Sequence, residues 1–190
     1  MSLVFIADKQ FEKERFSESG FPKGEYEYCR FLDCDFSNVD LSSVKFIECE
    51  FDGCNLSMVK LMQTTFQDVQ FKNCKMLGLR FENCNPFGLV VGFDNCNLNH
   101  SSFYQNKISK IQIKGSQLQE VDFTESDLTS AVFDDCDFTR ATFDNTILEK
   151  SDFRTSYNYS IDPEKNRIKN AKFSLNGIKG LLDKYSLEID

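Results

Sequence analysis

Large apolar residues recur along this chain every five positions. The series starts at Phe11 and runs Phe16, Phe21, Tyr26, Phe31, Phe36, Leu41, Phe46, Phe51, Leu56, Leu61, Phe66, Phe71, Met76 and Phe81. The register then slips by two residues and resumes at Phe93. From there it runs Leu98, Phe103, Ile108, Ile113, Leu118, Phe123, Leu128, Phe133, Phe138, Phe143, Leu148 and Phe153. Two residues before each large one, from Cys29 onward, stands a small or compact residue: Cys34, Val39, Val44, Cys49 and Cys54, and later Ser116, Val121, Ser126 and Ala131. A period of five is neither the 3.6 of a helix nor the 2.0 of a strand. It describes a backbone that turns a corner every five residues, with the large and the small position facing inward and the other three outward.

Prolines fall where this rhythm fails. Pro22 lies in a stretch with poor small positions, Pro86 at the slip and Pro163 beyond the last good repeat. Proline cannot donate to a ladder, so it belongs at such breaks. Residues 1–25 are therefore expected to form an N-terminal cap over an otherwise open sheet edge. The slip at 82–92 is expected to be a bulge or small loop. After Ile168 and Phe173, the segment Ser174 to Tyr185 carries Leu175, Ile178, Leu181, Leu182 and Tyr185 at helical spacing behind a Ser174 N-cap, which predicts a short α-helix over 174–185. Gly177 and Gly180 weaken it, so packing must hold it, either as a cap on the last coil or as a dimer contact.

Repeats such as Cys34-Asp35-Phe36-Ser37-Asn38, Ser126-Asp127-Leu128-Thr129-Ser130 and Cys136-Asp137-Phe138-Thr139-Arg140 resemble the pentapeptide-repeat family over roughly residues 11–153. That resemblance implies an all-β fold, a right-handed quadrilateral β-helix with four pentapeptides per square coil. The 28 repeats counted above then make seven coils, a rod about 34 Å long at ~4.8 Å per coil. Positions 20 apart should stack, with Phe31, Phe51 and Phe71 in one column and Cys34, Cys54 and Cys74 in another. The solenoid is expected to span 1–173, with 174–190 as a terminal helix and tail. The order Ile161-Asp162-Pro163, one more coil and an apolar segment resembles the C-terminal region of the Qnr-type quinolone-resistance proteins. Those bind type II topoisomerases (DNA gyrase and topoisomerase IV) and dimerise through this end, which implies such a protein partner and a homodimer here. Many Qnr-type proteins also carry sizeable loops, for which this chain offers only the two-residue slip.

Composition sharpens the picture. The chain has 190 residues, 20 of them Phe and none Trp. A net charge of −8 argues against a general nucleic-acid binder. No apolar run approaches the ~20 residues of a membrane span, and the start lacks a secretory layout. All eight cysteines occupy the small inward position. Their C-x4-C spacing is not that of a zinc site, so they are read as reduced, compact core residues, favouring a reducing cytoplasm. The one histidine, His100, beside Ser101, is expected to be solvated on an outer face, and no catalytic motif or cofactor fingerprint is found. The chain therefore reads as a non-enzymatic interaction protein.

Two outward features remain. Residues 116–153 hold ten carboxylates, among them Glu120, Asp122, Glu125, Asp127, Asp134, Asp135, Asp137 and Asp144, against Arg140 and Lys150 alone, and so account for the whole net charge. Regularly spaced carboxylates could imitate the phosphate rows of a duplex and draw in a DNA-binding surface, or simply keep the rod soluble. Met58, Met62 and Leu77 are expected to cluster near one corner as an apolar patch for an alternative, scaffold-type protein partner.

Overall fold

A computed structural model describes residues 4–188, so the first three residues of the expected cap and the last two of the expected tail lie outside it. It is a β-solenoid of about seven turns. Eleven short strands follow in chain order: β1 (Val4–Ala7), β2 (Gln10–Glu12), β3 (Gly24–Glu27), β4 (Arg30–Leu32), β5 (Lys45–Ile47), β6 (Glu50–Asp52), β7 (Thr65–Gln67), β8 (Val69–Lys72), β9 (Val91–Asp94), β10 (Gln112–Lys114) and β11 (Val132–Asp134). All pairing is parallel. One sheet has the order β1-β3-β5-β7 and the other β11-β10-β9-β8-β6-β4-β2.

The register is the five-residue series made physical. Phe31 pairs with Phe51 and Phe51 with Phe71, each 20 residues on, whereas Phe71 pairs with Phe93, 22 residues on. Their rings stack at 4.6, 5.0 and 5.4 Å. Every large position from Phe16 to Phe153 is buried, and so is every small position named above. The small residues also tie coils together. Cys54 Sγ–H donates to the Phe31 carbonyl at 3.3 Å and Cys74 Sγ–H to Phe51 at 3.4 Å, and Thr146 and Ser156 hydroxyls make the same bond to Phe123 and Phe133 at 2.8 and 3.0 Å. A buried hydroxyl or thiol is thereby satisfied without leaving its compact site.

Numbering the faces by their columns, face 1 carries Phe31 and Phe51, face 2 Phe36 and Leu56, face 3 Leu41 and Leu61, and face 4 Phe46 and Phe66. Strand faces and turn faces differ in the residue just before the large one. On turn faces this is often Asp, Asn or Ser, whose side chain accepts the N–H two residues on: Asp35 from Ser37 (2.9 Å), Asn97 from Asn99 (3.1 Å), Asp122 from Thr124 (2.9 Å). The turn closes when the third residue past the side-chain acceptor's neighbour bonds back, as Val39 N–H does to Phe36 O at 2.9 Å. Such side-chain acceptors replace a ladder bond with a local one. No strand begins its ladder with such an acceptor at that position. At nearly every corner, the residue two past the large one sits at positive φ, for example Asp33 (52°), Met58 (60°) and Gly115 (56°).

The slip at 82–92 is a real break, built from a 3-10 turn at Phe81–Asn83 and a bulge through Pro86 and Gly88. It also ends the sheet on face 4. Beyond it, Ile108, Leu128 and Leu148 continue that column on closed turns.

Two terminal expectations need correction. Of the stretch 1–25, the described part from Val4 on is the first coil itself, since β1 and β2 pair in register with β3 and β4, with a one-turn helix α1 (Phe16–Ser19) at the poorly matching repeat. The α-helix expected over 174–185 is instead two 3-10 turns, Ile178–Leu181 and Asp183–Tyr185. The glycines explain the change. A Cβ on Gly177 would lie 1.9 Å from the Tyr159 hydroxyl, and one on Gly180 2.2 Å from the Tyr159 carbonyl. The segment is pressed onto buried Tyr159 too closely for a regular helix with side chains there. Ser174 is not the N-cap of the first 3-10 turn, which is Gly177, but its hydroxyl accepts the Gly177 N–H at 3.1 Å.

Candidate functional site

The eight carboxylates singled out from the sequence do not form one stripe along the rod. They occupy two successive coils and reach all four faces. Asp122, Glu125 and Asp144 belong to face 3, Asp127 to face 4, Asp134 and Asp135 to face 1, and Glu120 and Asp137 to face 2; their columns are given by parallel pairings such as Ser102 with Asp122, Lys107 with Asp127 and Gln117 with Asp137. A period of 20 residues per coil forces this: a 38-residue acidic stretch must wrap the rod nearly twice. The result is a belt with two crests. Asp134, Asp135 and Asp137 share the corner between faces 1 and 2, while Glu125, Asp127 and Asp144 share the diagonally opposite one.

The carboxylates are not equivalent. Glu120 is paired with Arg140, which neutralises it, and lies 3.0 Å from His100 Nδ1. His100 is exposed, as expected. Glu149 and Asp152, outside the chosen eight, are held by Arg167 and by Arg154 and Lys172. Among the described residues, the other seven have no ion-pair partner. Of these, Asp122, Asp127 and Asp137 brace closed turns; Asp127 accepts both the N–H and the hydroxyl of Thr129, at 2.9 and 2.6 Å. Burial opposes charge on Asp137, but hydrogen bonds from Gln119, Thr139 and Asn158 outweigh it and hold its carboxyl below the usual range. Glu125 accepts only from Gln105 (2.7 Å) and Asp134 from Thr155 (2.9 Å).

Of the expected apolar patch, Met58 and Met62 are exposed and Leu77 half-buried. Met58 N–H bonds to Leu77 O at 2.9 Å, and the Met58 sulfur lies over Gly78, where a Cβ would come within 2.7 Å. Met62 belongs to the next face. A more prominent apolar residue, Phe87, stands on the slip at 85% exposure. Its N–H is held by Asn85 at 3.0 Å.

At the C-terminal end, Leu175, Ile178 and Tyr185 are exposed, Leu182 is half-buried and Leu181 packs on the core. The five do not share one face. Lys184 bridges Asp162 (2.7 Å) and Glu164 (2.8 Å), and Tyr185 donates to Glu164 at 3.0 Å, pinning the segment to the final coil. Among the described residues no helix is long and apolar enough to cross a membrane.

No curated protein matches the sequence. Among solved structures, two trypsin-treated forms of QnrB1, a plasmid-mediated fluoroquinolone resistance protein, superpose with TM-scores of 0.54 and 0.52 at 18% and 17% identity, each match covering 99% of this chain and 98% of the other. HetL, a pentapeptide repeat protein involved in heterocyst differentiation regulation in Nostoc sp. strain PCC 7120, gives a TM-score of 0.50 at 12% identity, covering 88% of this chain and 86% of its own. At these identities the likeness concerns the fold. The sequence itself matches the pentapeptide repeat region over residues 24–86 and 89–158, the interruption at 87–88 falling within the slip. With the square coils, their register and their corners in place, this chain belongs to the pentapeptide-repeat family.

Proposed function

We propose that this protein is a non-enzymatic binding rod whose acidic coils engage a basic, DNA-binding surface on another protein. The observation that carries the reading is the set of seven carboxylates without ion-pair partners among the described residues, concentrated in two adjacent coils, six of them at two opposite corners. A low-dielectric rod bearing such crests attracts cationic surfaces and does so in a salt-dependent way. The overall likeness to QnrB1 makes a type II topoisomerase, DNA gyrase or topoisomerase IV, the first partner to test, with relief of quinolone poisoning as the downstream effect. The exposed apolar residues at 175, 178 and 185 are proposed to seat a second copy, giving a dimer with two acidic belts.

The test is binding of the purified protein to DNA gyrase at low and raised salt, with duplex DNA as competitor. Displacement by DNA and weakening by salt support the reading. A folded protein that does not bind at low salt rejects the gyrase assignment. A second reading, a scaffold that binds a protein partner through exposed apolar groups, rests on Met58, Met62 and Leu77. It calls for binding that is insensitive to salt and lost on Met58→Ser.

A further inference from the structure

A groove of about 530 Å³ lies where the last regular coil meets the terminal segment. Arg140, Asn158 and Tyr159 line it from the coils, and Asn176, Lys179 and Asp183 from the terminal segment. The exposed apolar residues Leu175, Ile178 and Tyr185 are not among its walls. A column of backbone bonds ends there. At the corner after face 2, His100 N–H donates to Gln119 O and Glu120 N–H to Thr139 O, both at 2.9 Å. Arg140 N–H is next in the column, and the same step along the chain makes Tyr159 O its acceptor. That carbonyl instead lies against Gly180, where a Cβ would come within 2.2 Å of it. Arg140 N–H has no acceptor among the described residues.

Other groups in the groove are also unengaged. Tyr159 is buried in its floor, and its hydroxyl, beneath Gly177, makes no hydrogen bond among the described residues. Lys179 and Asp183 are exposed and have no ion-pair partner among the described residues. Four residues apart, they would be neighbours on an α-helix, but here they stand on separate 3-10 turns. By contrast, the Asn158 amide is occupied by Asp137 at 2.8 Å, and the Arg140 guanidinium by Glu120.

We propose that this groove binds a small zwitterion carrying both a carboxylate and an ammonium group, an amino acid or a dipeptide. Its volume falls within the ~300–1,000 Å³ of small-ligand sites. Polar groups left without partners call for one, and charge-assisted hydrogen bonds are the strongest they can make. The free charges are one of each sign, so a simple anion or cation would satisfy one and face the other. A zwitterion answers both. Its carboxylate is received by the Lys179 ammonium and the Arg140 N–H, with the Tyr159 hydroxyl as a further donor, and its ammonium by Asp183. The Asn176 amide, able to donate and accept, serves the peptide group of a dipeptide.

The test adds an equimolar pool of the standard amino acids, and separately alanylalanine, to the isotope-labelled full chain and follows backbone amide shifts by NMR. N-acetylated and C-amidated forms of whichever probe binds keep only one of the two charges and serve as controls. Lys179→Gln and Asp183→Asn are the variants. Neither side chain makes a hydrogen bond or ion pair among the described residues, so the circular dichroism spectrum should not change. Each variant should weaken binding at least ~10-fold, the loss of one charge-assisted hydrogen bond. Shifts at Arg140 and Gly177 that need both charges on the probe and weaken in both variants support the site. Response to the pool or to the dipeptide supports it alike and names the source. No shift at millimolar probe, equal binding of a blocked form, or unchanged binding in either variant overturns it.

Discussion

The rod before the slip and the rod after it are built on one five-residue rule and yet differ in their sheet faces, in the residues that fill their small sites and in their outward charge. Before Phe81, two faces are sheet, the large positions of those faces are aromatic and stacked, and five of the eight cysteines lie in the small sites. After Val91, one face is sheet and the small sites are largely Ser, Thr, Ala and Asn. Turns braced by Asp carry the second half, and those Asp residues supply part of its charge. The lesson is that inward positions specify the coil, whereas an Asp, Asn or Ser before the large one braces a turn where it occurs. Where that residue is Asp, the same carboxylate closes a turn and charges the surface, at Asp35 and Asp40 in the first half and at Asp122, Asp127 and Asp137 in the second.

The largest expected effects should be alike in the two halves. Phe51→Ala and Phe123→Ala each remove a buried ring stacked on both sides, Phe123 between Phe103 and Phe143 at 5.3 Å each. Each should cost about 3–5 kcal/mol in denaturant unfolding. A much smaller cost in the second half would show its core to be looser and break the claim of one shared rule.

Next comes the terminal segment. Gly177→Ala forces a methyl into the Tyr159 hydroxyl, and overpacking of this kind costs about 1–3 kcal/mol. Limited proteolysis should cut the 174–188 segment faster in the variant, with the coils intact. An unchanged digestion pattern would mean that the segment does not rest on Tyr159.

Smaller effects separate the carboxylates. Asp127→Ala loses two hydrogen bonds at a closed turn and should cost about 1 kcal/mol. Asp127→Asn should cost little, because Asn55 and Asn97 brace the same kind of turn elsewhere. Asp144→Ala should leave the unfolding midpoint unchanged. Equal losses for Asp127→Ala and Asp144→Ala would dissolve the division between structural and free carboxylates.

Acid provides the gentlest test. Hydrogen bonds from Ser42, aided by Lys23, hold the Asp40 carboxyl down at about 2, against 3.8 for an unperturbed group. Bonds from Arg154 lower Asp152 in the same direction. A carboxyl lowered by folding stabilises the protein above its unfolded value and stops doing so as pH falls through the folded one. The thermal midpoint should therefore hold from neutrality to about pH 5 and decline between roughly pH 4 and pH 2. Asp40→Asn should flatten part of that decline.

The five-residue spacing made the coils, the slip and the buried thiols legible before any coordinates, because the interior of a square coil admits only one pattern of sizes. Corner type was not read from the sequence, because Lys45 opens a strand while Lys60, Lys75 and Lys107 stand at the same position on turn faces. Nor was the terminal segment legible. Its apolar residues keep helical spacing, and nothing local reveals that Tyr159, fifteen or more residues earlier, needs Gly177 and Gly180 bare. The acidic belt was legible as composition but not as shape, since charge along the chain maps onto the rod only through the 20-residue coil. Reading the eight carboxylates as regularly spaced phosphate mimics overlooked that Asp122, Asp127 and Asp137 brace turns. Substitutions that remove the side chain there would confuse lost binding with lost structure.

The most direct test of the account therefore removes charge and keeps the corners. Asp122, Asp127, Asp134, Asp135, Asp137 and Asp144 are changed together to Asn, and Glu125 to Gln. Binding to DNA gyrase is then measured across a salt series beside the unaltered chain. The account expects a folded rod of the same thermal midpoint or higher, whose binding is lost or has become independent of salt. Undiminished binding with an unchanged salt slope would contradict it and place the interface elsewhere on the rod.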